Sequence, residues 1–85
     1  MFDWDQSNTD HIGLYGVAID EAEEALLDRH RIFDQAQHTG EPRWVVIGAT
    51  EGGRVLFVVF TRRGPLIRVV TARDATSRER RRYRR

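Results

Sequence analysis

Arg54-Val-Leu-Phe-Val-Val-Phe-Thr-Arg-Arg-Gly-Pro-Leu-Ile-Arg-Val-Val-Thr-Ala-Arg73 reads as a β-hairpin, and the rest of the chain is arranged around it. Val55 to Phe60 is an unbroken apolar run, rich in β-branched and aromatic side chains. So short a run of that composition predicts a strand buried on both faces. Thr61 to Pro65 is the turn, with Gly64 free to take positive φ and Pro65 ending the pairing. Leu66 to Thr71 returns as a second strand with Arg68 inside it. Arginines at both ends edge an apolar core with guanidinium groups, planar donors that match phosphate well.

Upstream of the hairpin, Arg43 to Gly48 is another strand, joined to it by a Glu51-Gly-Gly53 turn. Three strands joined by short turns make an antiparallel meander. Phe2-Asp-Trp4 alternates and reads as a short strand at a sheet edge. Asp5 to Leu14 reads as a helix with Asp5 as N-cap and Gly16 beyond its end. Ala18 to Asp28 reads as a second helix. Its acids Glu21, Glu23 and Glu24 favour the dipole, Ala22, Ala25, Leu26 and Leu27 face inward, and Asp20 with Glu23 could cap it. Arg31-Ile-Phe33 reads as a brief strand and Gln35 to Gly40 as a polar loop. Thr76-Ser-Arg-Glu79 has the form of a capping box, opening an Arg-rich helix from Ser77 to Tyr83 that is expected to fray. The expected fold is therefore α+β, a single domain over residues 1–85: N-terminal helices on a twisted, mainly antiparallel sheet, then a short C-terminal helix.

Composition narrows the function classes. With no cysteine, neither a disulfide framework nor a thiolate zinc site can form. No apolar run approaches the ~20 residues that span a bilayer, and Met1-Phe-Asp-Trp-Asp5 lacks the features of a signal peptide. Charge is lopsided within a net +1. Residues 1–28 carry eight acids and no arginine, whereas residues 73–85 carry seven arginines and two acids. That asymmetry points to a polyanion site at one end.

Several short patterns follow one another along nearly the whole chain. They are Phe2-Asp-Trp4-Asp5, His11-Ile12 with Gly16-Val17, Glu21-x-Glu23-Glu24-Ala25-Leu26, Glu41-Pro-Arg43, Gly53-Arg54-x-Leu56 to Phe60, Ile67 to Thr76, and Arg78 to Tyr83. Together they resemble the BrnT family of toxins from bacterial type II toxin–antitoxin modules, with Arg68 to Tyr83 the most specific stretch. The resemblance implies a RelE-like fold and a cytoplasmic endoribonuclease that needs neither metal nor other cofactor and slows translation. It implies a cognate, BrnA-like antitoxin, an RNA substrate, and operator DNA bound through the toxin–antitoxin complex. The pattern departs from the family at Leu14-Tyr15, where a basic residue followed by His is usual. A catalytically weak or inactive module that binds an antitoxin or nucleic acid is therefore the alternative.

RNA cleavage by the 2′-hydroxyl needs a base, a stabiliser of charge on phosphorus, and an acid for the leaving oxygen. Arginine suits the second role and not the first, because it stays protonated. The base must come from His11, His30, His38, Tyr15, Tyr83 or a carboxylate. The expected catalytic set is His11, Arg68, Arg73 and Tyr83, with Arg43, Arg54, Arg78 and Arg81 binding RNA phosphate and no metal site. The rival readings are an Arg68 paired with an acid of the acidic helix, a solvated basic tail, and Trp4 and Trp44 in the core. Strict alternation puts Arg68 and Arg73 on opposite faces, so one site can use both only if the strand ends or bulges before Arg73. Cleavage requires that these guanidiniums converge beside an imidazole or phenol on one exposed patch.

Overall fold

The computed structural model describes residues 1–36 and 40–84. Its elements are α1 (Gln6–Gly13), α2 (Ile19–Leu27), β1 (Ile32–Ala36), β2 (Arg43–Ala49), β3 (Val55–Arg63), β4 (Leu66–Asp74) and α3 (Ser77–Tyr83). The strands form one antiparallel sheet in the order β1-β2-β3-β4. Phe2 adds a parallel bridge to Ile67 outside β4, so the expected N-terminal strand is a single edge contact.

Local chemistry sets the helix starts. The Asp5 carboxylate accepts the Asn8 N–H, and the Asn8 side chain accepts the Asp5 N–H in return. Thr76 and Glu79 make the same reciprocal pair at α3. At α2 the cap differs from the expected Asp20–Glu23 pair: Glu21 accepts the Ala18 N–H. Gly16, Gly53 and Gly64 close the connections with positive φ.

The sheet has two unlike faces. Leu56, Val58 and Phe60 of β3 point to the face covered by α1 and α2, where they bury with Ile12, Ala22, Ala25, Val46 and Val69. Each such aliphatic side chain contributes about 1.5–3 kcal/mol by leaving water. α2 lies so close to β2 that a Cβ on Gly48 would meet the Ala25 carbonyl oxygen at 2.1 Å. The alternate residues Val55, Phe57 and Val59 are only half-buried, which corrects the expectation of a strand buried on both faces. One full layer of helices covers one side, and on the other the short α3 packs against β2. β1 also runs through Gln35 and Ala36, which sequence placed in a loop, because both pair with β2. Trp4 and Trp44 pack against the core, and Trp44 stacks on Phe60 with centroids 5.9 Å apart.

β4 carries a bulge. Val59 pairs with Thr71 and Phe60 with Val69, leaving Val70 without an opposite residue. The extra residue shifts the alternation, so Val69 and Ala72 both point into the core. By the same shift Arg68 and Arg73 share the other face.

Candidate functional site

α1 hangs on the edge of β4 through Asn8. Its buried amide donates to the Val69 carbonyl at 3.1 Å and to the Asp3 carbonyl at 3.0 Å. One turn further on, His11 projects beside the bulged strand. Across from it, Thr61 Oγ1 donates to the Pro42 carbonyl at 2.7 Å and anchors the entry to β2. Between these supports opens a cleft of about 390 Å³, walled by His11, Glu41, Arg43, Arg63 and Arg68 among others.

Arg43 and Arg68 flank Thr61 on the sheet and face the same way. Arg68 is 15 % exposed and lies 3.4 Å from Asp3 and 3.1 Å from Asp5. Its bond to Asp5 raises its pKa and lowers that of Asp5. The acids thus come from the N-terminal segment, not from the acidic helix. Glu41 lies 3.7 Å from both Arg43 and Arg63, and the buried Arg43 Nε has no hydrogen-bond partner. The cleft therefore holds an imidazole, a carboxylate and three guanidiniums, one with an unused donor.

The other expected site residues lie elsewhere. Arg73 is opposite Phe57, four rungs of β3 from the Arg68 pair, roughly 13 Å at ~3.3 Å per residue. Its guanidinium lies 4.1 Å above the Phe57 ring and binds both carboxylate oxygens of Glu79, at 2.8 and 3.1 Å. That bond raises the Arg73 pKa, with a smaller contribution from Tyr15. Tyr15 meets His11 edge-to-face at 5.7 Å, beside the cleft. Tyr83 is remote from it: its hydroxyl donates to the Asp28 carboxylate and its pKa is pushed up to about 12. Burial opposes charge on Asp28, but bonds from Tyr83 and from the Ala49 and His30 N–H groups outweigh it and lower its pKa. α3, expected to fray, is thus held at both ends.

Arg54 binds Asp74 through two nitrogens, Glu21 at 3.1 Å and the Gly16 carbonyl at 2.8 Å. It ties the α1–α2 turn to the start of β3. Arg78 and Arg81 lie on α3, away from the cleft, without a carboxylate partner among the described residues. His30 bonds to Arg29 in an exposed turn, and His38 and Arg85 lie outside the described residues. Glu41 and Arg63 join the cleft although sequence reasoning assigned them no role. Their signal was position: Glu41 stands two residues before Arg43, and Arg63, placed by sequence in the turn, ends β3 opposite Leu66. Among the described residues no three His, Asp or Glu side chains group as a metal site.

A family model described as "Ribonuclease toxin, BrnT, of type II toxin-antitoxin system" matches residues 4–79. The chain belongs to the BrnT family. BrnT membership makes it a ribonuclease toxin of a type II toxin–antitoxin system, with a protein antitoxin as partner. The BrnT match contains His11, Glu41, Arg43, Arg68 and Arg73 and ends before Arg81 and Tyr83. No curated protein matches the chain. No helix among the described residues is long and apolar enough to cross a membrane.

Proposed function

We propose that this BrnT chain is a metal-independent endoribonuclease that cleaves RNA in the β4-edge cleft and thereby inhibits translation in the cytoplasm. The observation that carries the reading is the meeting of His11, Glu41, Arg43 and Arg68 in one opening. An RNA phosphate placed there takes charge-assisted bonds from the Arg68 and Arg43 guanidiniums. Of His11 and Glu41, one takes the proton of the 2′-hydroxyl as its oxygen attacks phosphorus. The other returns a proton to the departing 5′-oxygen, leaving a 2′,3′-cyclic phosphate. Arginine stabilises the charge gathered on the phosphoryl oxygens without itself transferring a proton.

The α+β arrangement supports a RelE-like fold. A BrnA-like antitoxin would neutralise the toxin, and the complex would bind operator DNA. The test is incubation of purified protein with RNA in EDTA. Fragments ending in cyclic phosphate, lost in His11→Ala, are expected; no cleavage, or cleavage abolished by EDTA, overturns the proposal. A second reading, a catalytically weak module that keeps only antitoxin binding, is favoured by the carboxylates already paired with Arg68 and Arg73. Normal growth on induction, together with tight antitoxin binding, would select it.

A further inference from the structure

α2 packs on β2 and β3 and stops at Leu27, which leaves part of the helix-bearing face uncovered. There a groove of about 600 Å³ opens, with Met1, Leu27, Phe33 and Trp44 in its walls. Leu27, expected to face inward, is 59 % exposed, and Phe33 is 58 % exposed. Arg31 and Arg62 also line the groove, and no acid does. Neither arginine has a carboxylate partner among the described residues, and Arg31 bonds only to the Asp28 carbonyl. Arg43, Arg54, Arg63, Arg68, Arg73 and Arg82 lie beside a carboxylate, whereas Arg78 and Arg81 on α3, like the groove pair, do not among the described residues.

We propose that this groove is the docking surface for the antitoxin, and that the antitoxin seats an acidic amphipathic segment in it. Apolar side chains of that segment fill the space between Leu27, Phe33 and Trp44, and its carboxylates meet Arg31 and Arg62 at the rim. The inference rests on the chain being a toxin with a protein antitoxin. Exposed apolar surface of this kind, bordered by charge, is what partner proteins cover. Charge complementarity selects an acidic segment. A second copy of this chain fits poorly, because a two-fold contact brings the arginine rims face to face. Single-stranded RNA would find one open aromatic face, Phe33, near the arginines, so RNA binding is a discriminating outcome of the test. Phe60 is buried and stacked on Trp44, so aliphatic side chains make up much of the wall.

The experiment measures the affinity of the purified chain for the antitoxin of its own module by titration calorimetry. It compares the unaltered chain with Phe33→Ser and with the double charge reversal Arg31→Glu, Arg62→Glu. Phe33→Ser is expected to weaken binding at least about tenfold, as loss of a central aromatic anchor does. The double reversal is expected to weaken it about tenfold, more at low salt than at high salt. Circular dichroism and RNA cleavage by the free variants should match the unaltered chain. Affinity within twofold of the original for both variants overturns the proposal. So does loss of RNA binding or of self-association in place of antitoxin binding. If the unaltered chain binds the antitoxin and the variants bind it equally, the groove assignment alone falls. If the unaltered chain does not bind the antitoxin, the partner reading falls with it.

Discussion

In the cleft beside β4, Arg68 bridges Asp3 and Asp5, and Arg43 and Arg63 share Glu41. In the groove at the end of α2, Arg31 and Arg62 line apolar walls and meet no carboxylate among the described residues. The cleft arginines are held in place by neighbours that also compete with any phosphate for them. Geometry is gained there and affinity is lost, because an incoming phosphodiester must displace a carboxylate. Among the described residues no carboxylate holds the groove arginines, and Arg31 bonds only to the Asp28 carbonyl. They attract an acidic partner at long range and contribute more to its rate of arrival than to its orientation. A count of arginines along the chain does not distinguish these states; their partners do.

The most direct way to break this comparison is Arg68→Ala. If a cleft guanidinium stabilises the phosphoryl transition state, RNA cleavage should fall by about 10²–10³-fold. The midpoint in urea should move by only about 1 kcal/mol, since the ion pairs lost are partly exposed. Equal cleavage by variant and original would remove the cleft from the chemistry. Arg54→Ala sharpens the contrast from the other side. Arg54 was a phosphate candidate, yet its bonds to Asp74, Glu21 and the Gly16 carbonyl are internal. Denaturant titration should show about 2 kcal/mol of lost stability, with cleavage retained per folded molecule.

Tyr83→Phe separates structure from catalysis in the same way, at about 1 kcal/mol. Its pH dependence follows from linkage. The folded-state pKa of Tyr83 is raised from 10.0 to about 12, so its contribution is present below pH 10 and lost as pH rises toward 12. The folded-state pKa of Asp28 is lowered from 3.8, so its share is present above that value and lost as pH falls below it. Urea midpoints across pH 9–11.5 should therefore decline more steeply in the original than in Tyr83→Phe. The smallest effect concerns competition within the cleft. Asp3→Asn removes one of the two acids on Arg68, and a fluorescent RNA titration should show affinity rising about two- to threefold.

What could be read from the chain was what neighbours in sequence decide. Asp5 and Thr76 cap helices by bonding three residues ahead, and Gly53 and Gly64 close turns within four. The hairpin and the meander follow from those turns and from the apolar runs. What could not be read depends on distant partners. Nothing around Val70 announces a bulge, which sits where β4 pairs with β3 on one edge and takes the Asn8 amide of α1 at Val69. Strict alternation put Arg68 and Arg73 on opposite faces unless the strand bulged before Arg73, and the bulge at Val70 meets that condition. Tyr83 looked like a proton donor until Asp28, 55 positions away, was placed against it. Glu41 was visible within a matching motif but acquires chemical meaning only when the Thr61–Pro42 bond brings it across from His11.

The amide of Asn8 is tied to the Val69 carbonyl across a sequence separation of 61. During synthesis the first helix therefore has no strand to rest on until the fourth has left the ribosome. His11 and Arg68 stay apart for nearly the whole of translation, and closing so long a loop is a late, slow step. On the proposed cleavage reading, a cell making this chain meets an assembled cleft only when the last strand has emerged, and products cut before β4 cannot build it.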